Sequence, residues 1–245
     1  MCESGSLEGE GTRRLASPCA APKLAPLTEE TPVTARRLII AAALAFIALP
    51  VLAQPIATAP PAAAAPDLGK IVRVDLDTTA GKIVLELYPD RAPITVANFL
   101  HYVTSRHYDG AKIFRAARAE GAPTYGLIQG GGFMDAAKLF KPITLEPTSQ
   151  TGLHHGDGAI SMARAAPNSA QGDFFIVCGD SPSMDANPKA PGDNLGFAAF
   201  GRVAEGMDVV HAILAMPTGG HARNPTMQGQ ILTDPVTITT ARVEK

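Results

Sequence analysis

Two stretches of this chain, Ile71-Val-Arg-Val-Asp-Leu-Asp77 and Lys82-Ile-Val-Leu-Glu-Leu-Tyr88, alternate apolar and polar side chains with only Thr78-Thr79-Ala80-Gly81 between them. Successive side chains of a strand point to opposite faces, so this pattern reads as a half-buried antiparallel hairpin. Further short apolar runs follow at Ile113 to Ala116, Tyr125 to Gln129, Ala159 to Ala163, Phe174 to Cys178 and Phe197 to Val203, separated by Gly-rich and Pro-rich turns. Many short strands that cannot bury themselves singly must close on one another, which predicts a mainly β barrel or sandwich. Helical spacing occurs in two places. Ala92-Pro93 opens a helix whose Val96, Phe99, Leu100 and Val103 form a stripe for the sheet, and a second helix is predicted over Met207 to Ala215. Pro235 to Val243 reads as a terminal strand that pairs back to close the sheet, and no repeat of fixed period is found.

The first third reads differently. Residues 1–35 are rich in Glu, Gly, Ser, Pro and Ala without periodicity, so they are expected to be unstructured or to lie before the true start. Arg36-Arg37 precede an apolar run from Leu38 to Leu49, and Pro50-Val51-Leu52-Ala53 follow before Gln54. Residues 36–53 therefore read as a secretory signal cut after Ala53, too short for the ~20 apolar residues that span a bilayer. A signal begins near an initiator, so translation is expected to start at or near Val33. The Arg pair also allows a twin-arginine reading, but its flanks do not favour it. Residues 54–69 are mostly Ala and Pro, a semi-rigid tether, and the folded domain is expected over 70–245. With no Cys directly after the cut to carry a lipid, the mature protein is expected to be periplasmic or secreted, without stable membrane insertion.

A formal net charge of -2 offers no electrostatic case for nucleic acid. Cys178 stands alone in the folded part, behind Phe174-Phe175-Ile176-Val177, so no disulfide framework exists and the thiol reads as a small buried hydrophobe. His154, His155, Asp157 and Ser161 invite a hydrolase or metal reading. The adjacent histidines should point apart on an extended chain, and Ser161 lacks a Gly-x-Ser-x-Gly elbow, so both readings are set aside.

One resemblance runs through the folded part. Tyr88-Pro89-Asp90-Arg91-Ala92-Pro93 with Asn98-Phe99, then Tyr108-Asp109-Gly110, Phe114-Arg115, Gln129-Gly130-Gly131, Ile160-Ser161-Met162-Ala163-Arg164, Gln171-Gly172-Asp173-Phe174-Phe175-Ile176 and Phe200-Gly201-Arg202-Val203 resemble the motifs of the cyclophilins, in order, over roughly residues 70 to 243. Each motif alone is weak, but the ordered set is specific. The resemblance implies a closed eight-stranded antiparallel β-barrel capped by two α-helices, with a substrate groove outside the barrel. It implies peptidyl-prolyl cis-trans isomerisation of Pro-containing polypeptides by a monomer, with no cofactor or metal.

The residue types suit that chemistry. Rotation about an X-Pro bond costs about 20 kcal/mol because the amide nitrogen shares its lone pair with the carbonyl. Twisting removes the sharing and leaves a nitrogen able to accept a hydrogen bond, which a fixed guanidinium can supply. The resemblance puts Arg115 in that catalytic role, and Arg suits it better than Lys because its planar fork stays charged. It also implies that Gln129 holds Arg115 and the substrate backbone, that Phe175 floors the proline pocket, and that Leu127, Met184 and Phe197 shape its walls. Ala163 presents backbone groups to an extended substrate, and Phe114, Met162 and Arg164 complete the implied substrate-binding set.

The chain also departs from the family pattern. The stretch Ala117-Arg-Ala-Glu-Gly-Ala-Pro-Thr-Tyr125 reads as a lengthened loop, and Gly126 stands where many relatives carry an aromatic, leaving Tyr125 as the substitute wall. Phe197 replaces a His common in eukaryotic relatives, Ser183 a Trp that helps bind cyclosporin, and Asp173 a polar amide. Two other functional classes compete: a barrel that binds Pro segments as a chaperone without turnover, and a membrane-tethered assembly factor whose signal is never cut. The first is separated from an enzyme by the joint presence of Arg115, Gln129 and Phe175, the second by the mass of the mature protein.

Overall fold

The computed structural model describes residues 68–132, 136–189 and 191–244. The expected signal, cleavage point and alternative start, and all but the last two residues of the tether, lie outside the described residues. Among these residues eight strands form: β1 Val72–Thr78, β2 Gly81–Leu87, β3 Lys112–Ala119, β4 Ala122–Gly131, β5 Ala159–Met162, β6 Phe174–Cys178, β7 Ala198–Glu205 and β8 Ile231–Val243. The helices are α1 Pro93–Thr104, the single turn α2 Thr148–Thr151, and α3 Met207–Ala215, so one short helix joins the two expected from the sequence. The strands close antiparallel in the order β1-β2-β7-β5-β6-β4-β3-β8, with β8 returning to β1. The barrel implied by the sequence is thus the observed fold.

The first hairpin forms as alternation requires. Thr78 Oγ1 donates to the Gly81 carbonyl at 2.6 Å and accepts from the Ala80 N–H at 3.1 Å, closing the turn locally. Leu76, Ile83 and Leu85 then point inward and are fully buried. In α1, Val96, Phe99 and Val103 are buried, while Leu100 is only partly so. Phe99 centres an aromatic cluster with Tyr108 (5.1 Å), Phe200 (5.3 Å) and Phe174 (5.7 Å, edge to face), joining the helix to the barrel core.

The start of α1 and the end of α3 are each capped from far along the chain. Ala92, at the N-cap of α1, has no side chain to offer, and Glu146 supplies the acceptors instead. Its Oε1 accepts from Ile94 N–H at 3.1 Å, and its Oε2 from Thr95 N–H at 2.7 Å and Thr95 Oγ1 at 2.6 Å. Arg118 of β3 donates to the Leu214 and Met216 carbonyls at 2.6 and 2.9 Å, covering the last turn of α3.

The expected 117–125 loop is not a loop. β3 runs on to Ala119, β4 begins at Ala122, and only Glu120-Gly121 turn between them. The extra residues are taken up as a bulge: Arg118 pairs with Gly126, whereas the next residue, Ala119, pairs with Ala122. Gly126 adopts φ +145° at that bulge, and any Cβ there would collide with the carbonyl oxygen of Ala117. Gly126 is therefore a backbone requirement of the hairpin.

Candidate active site

Strand pleating divides the side chains of the barrel between two clusters. Along β6, Phe174 and Ile176 enter the barrel core, while Phe175 and Val177 belong to a second, smaller cluster outside it with Leu127 and Ala159. Ala117, Ala163, Met184 and Phe197 pack against this outer cluster and are themselves partly exposed. It forms an apolar patch on the outer face, buried at Phe175 and Val177 and partly exposed at Met184 and Phe197.

Register places the polar machinery beside it. Arg115 pairs with Gln129, Gln129 with Phe175, and Phe175 with Ser161, so one row of side chains crosses β3, β4, β6 and β5 on the outer face. Arg115 Nη1 donates to Gln129 Oε1 at 2.9 Å and its Nε donates to Gln230 Oε1 at 2.8 Å. Among the described residues no partner meets Nη2, and no carboxylate pairs with this guanidinium. Burial lowers its pKa from the ordinary value, but an Arg remains charged across the physiological range. A half-buried cation is thus held by two neutral amide oxygens with one edge left to donate.

The partly exposed side of the outer cluster is braced by neighbouring groups. Phe197 meets Phe175 edge to face at 5.3 Å, and the Arg164 guanidinium lies 5.2 Å from the centre of the Phe197 ring. Arg164 is itself pinned by Asp193 at 2.7 and 2.9 Å and by the Gly196 carbonyl at 2.8 Å. Met184 receives the Phe197 N–H on its carbonyl at 3.0 Å. Beyond Gln129 the groove continues as a cleft of ≈ 480 Å³ lined by Ala163, Arg164, Asp173 and Met227, among others. Phe114 lines a neighbouring hollow of ≈ 420 Å³ that shares Gln129 and Met227 with it.

Arg115, Gln129, Leu127, Phe175, Met184, Phe197, Ala163, Arg164 and Phe114 are therefore brought to one face. Met162 is not. Its side chain is 1 % exposed and belongs to the barrel core, because pleating turns it opposite to Ser161 and Ala163. Tyr125 does not serve as a pocket wall either. It packs over Gly179 and lines a separate hollow with Thr124, Asp157 and His211, since the bulge at Gly126 redirects it. Asp173 stands in both clefts beside Gln129, and its Oδ1 accepts the Gly132 N–H at 2.8 Å. Gln230 has no counterpart in the sequence reading. It precedes β8 in an irregular turn, and no local pattern marks it as a partner of Arg115.

Two other expectations meet the structure, at Cys178 and at the paired histidines. Cys178 is fully buried, and burial pushes its thiol up to about 12, as befits an inert core residue. His154 and His155 do not point apart, because the chain through them is not a strand, and the Nδ1 atoms of both reach the carboxylate of Asp185, at 2.9 and 2.6 Å. Among the described residues no group of three or more His, Cys, Asp or Glu side chains stands where it could hold a metal ion.

Comparison with known proteins decides the family. Residues 73–243 match the family model described as cyclophilin type peptidyl-prolyl cis-trans isomerase/CLD. The chain belongs to the cyclophilin family. It is 41 % identical over 177 residues to peptidyl-prolyl cis-trans isomerase cyp18 of Streptomyces antibioticus, covering 69 % of this chain and 97 % of that protein. It is 35 % identical to peptidyl-prolyl cis-trans isomerase B of Escherichia coli, covering 60 % and 86 % respectively. In fold it is similar to a cyclophilin type isomerase of Cryptosporidium parvum solved with the dipeptide Ala-Pro. The TM-score is 0.55 at 19 % identity, over 71 % of this chain and 99 % of the other. This cyclophilin is accordingly a peptidyl-prolyl cis-trans isomerase with a closed eight-stranded barrel.

Proposed function

We propose that this isomerase accelerates X-Pro rotation in exported polypeptides through Arg115, acting on the twisted amide. The observation that carries the reading is the double amide anchorage of Arg115 by Gln129 and Gln230 beside the apolar cluster around Phe175. A carboxylate partner would neutralise the guanidinium. Neutral oxygens fix its direction and leave its charge for the nitrogen that pyramidalises as the bond twists.

A proline ring seated on the apolar cluster around Phe175 is held similarly in both planar isomers and in the twisted state, so the cluster contributes specificity more than rate. Groove backbone at Ala163 supports pairing with an extended chain. Binding of Pro-containing peptide here is supported by the related structure solved with Ala-Pro. Export rests on Arg36-Arg37, the apolar run after them and Ala53, which favour a cut before Gln54 and a periplasmic or secreted enzyme.

The test is peptide isomerisation by the full chain and its Arg115→Ala variant, followed by exchange NMR. Loss of about 100- to 1,000-fold in turnover with peptide affinity retained is expected. Equal loss of binding and turnover would reassign Arg115 to uniform binding, and binding without any acceleration would make the barrel a Pro-peptide chaperone. Mass spectrometry of the protein recovered from cells tests export: a mature N-terminus at Gln54 is expected, and an intact apolar segment overturns it.

A further inference from the structure

Against Phe175 lies a buried polar chain that isomerisation at Arg115 leaves unused. His155 is 1 % exposed, and its ring stacks on Phe175 at 5.9 Å with 13° between the planes. Its Nδ1 is 2.6 Å from Asp185 Oδ1, and its Nε2 is 3.0 Å from the Oγ of Ser161, the cross-strand partner of Phe175. Asp185 Oδ1 also accepts the His155 N–H at 3.0 Å. Asp185 directly follows Met184, the wall residue whose carbonyl holds Phe197. One imidazole therefore ties Phe175 to the segment that carries Met184.

Ser161, His155 and Asp185 have the connectivity of a nucleophilic triad. Ser161 has no exposed surface, so its hydroxyl meets no substrate, and the chain can act only on what it touches. With Asp185 ionised, the neutral ring donates from Nδ1–H to the carboxylate and accepts the Ser161 hydroxyl proton at Nε2. A second ring proton would make both nitrogens donors, force the Ser161 hydroxyl to turn, and set a full charge under an apolar floor. Among the described residues, the charged or titratable groups facing the ring are Asp185 and His154, and Ser161 and Phe175 are its neutral neighbours. Burial lowers the His155 pKa; Asp185 opposes this, and His154 adds to it. Burial would raise Asp185, but hydrogen bonds from His155 and His154 outweigh it and hold that carboxyl below its ordinary value.

We infer that His155 is a positioning residue for the pocket: its neutral ring, bridging Asp185 and Ser161, holds Phe175 and Met184 at the spacing that admits proline, and its protonation loosens that spacing. The substrate side of this inference rests on the isomerase reading, whereas the coupling within the pocket does not. The full chain, carrying labelled Met methyl groups and Phe rings, is titrated by NMR from about pH 8 to about pH 5, and KM and kcat for an X-Pro peptide are taken by exchange spectroscopy over the same range.

The Met184 methyl and Phe175 ring signals should move with the inflection of the His155 imidazole. KM should rise roughly 3- to 10-fold across it while kcat changes less than about 2-fold. His155→Asn keeps a donor for Asp185 but cannot titrate, so its KM should be flat with pH. His154→Gln removes the other imidazole on the same carboxylate and should leave the inflection in place. Pocket signals that ignore the His155 titration, or a KM profile unchanged in His155→Asn, overturn the inference. The NMR titration needs neither a variant nor turnover, so it decides the coupling even if the chain proves inactive, an outcome that would instead count against the isomerase reading.

Discussion

Arg115 Nε donates to Gln230 Oε1 at 2.8 Å across 115 residues of sequence, so the catalytic candidate on β3 is aimed by a side chain from the turn that precedes β8. Removing this acceptor frees the guanidinium to rotate about its remaining contact with Gln129. Gln230→Ala should lower kcat about 10-fold with KM nearly unchanged, the size of one hydrogen bond to a charged group. Gln230→Glu should lower it further, because a carboxylate neutralises the cation that Gln only orients. Exchange NMR on an X-Pro peptide measures both, and a rise in KM alone would argue that Gln230 binds substrate.

The hairpin bulge makes a separate prediction. Gly126→Ala adds a Cβ where φ is +145° and the Ala117 carbonyl oxygen already stands. The variant should lose on the order of 2–4 kcal/mol in urea unfolding, since strain and collision add. A loss below ~0.5 kcal/mol would show that the β3–β4 bulge relaxes freely.

Glu146 is 2 % exposed and serves three donors at the start of α1. Glu146→Ala leaves two backbone N–H groups and the Thr95 hydroxyl without it, so a cost of about 3 kcal/mol is expected. Amide exchange at Ile94 and Thr95 should accelerate in the same variant; unchanged protection would mean that another group caps the helix.

Stability should depend on pH through His155. Its pKa is lowered in the folded protein, so the unfolded chain binds a proton first as pH falls, and stability decreases with acidification. The loss begins near the ordinary imidazole value of about 6.5 and continues down to the folded-state value. Thermal melts of the wild type and His155→Asn over this window should converge as pH drops, because only the wild type carries this term. Parallel curves would show that His155 does not contribute.

Cyclosporin should inhibit weakly, since Ser183 stands exposed at the position where relatives that bind the drug carry Trp. Potent inhibition at low nanomolar drug would contradict this.

Much of the architecture was legible in local pattern. Alternation located the first hairpin, helical spacing located α1 and α3, and the ordered motifs brought Arg115, Gln129 and Phe175 forward as a set. Two misreadings share a cause. Ala117 to Tyr125 reads as a loop because Gly and Pro usually end strands, yet a bulge carries β3 and β4 through them. The rule for extended chain sends His154 and His155 in opposite directions, but their segment is not a strand and both reach Asp185. Periodicity describes regular backbone and fails where the backbone is irregular.

The sequence by itself determined the alternating strands, the helix stripes, the family motifs and the residue types able to stabilise a twisted amide, because each is carried by neighbours along the chain. Tertiary structure alone decided which faces those residues share. Barrel closure joined β3 to β8 and brought Gln230 to Arg115, pleating sent Met162 inward and Phe175 outward, and a loop 51 residues away supplied the cap of α1. Such pairings gain their energy only when the barrel closes, so no local stretch of sequence encodes them.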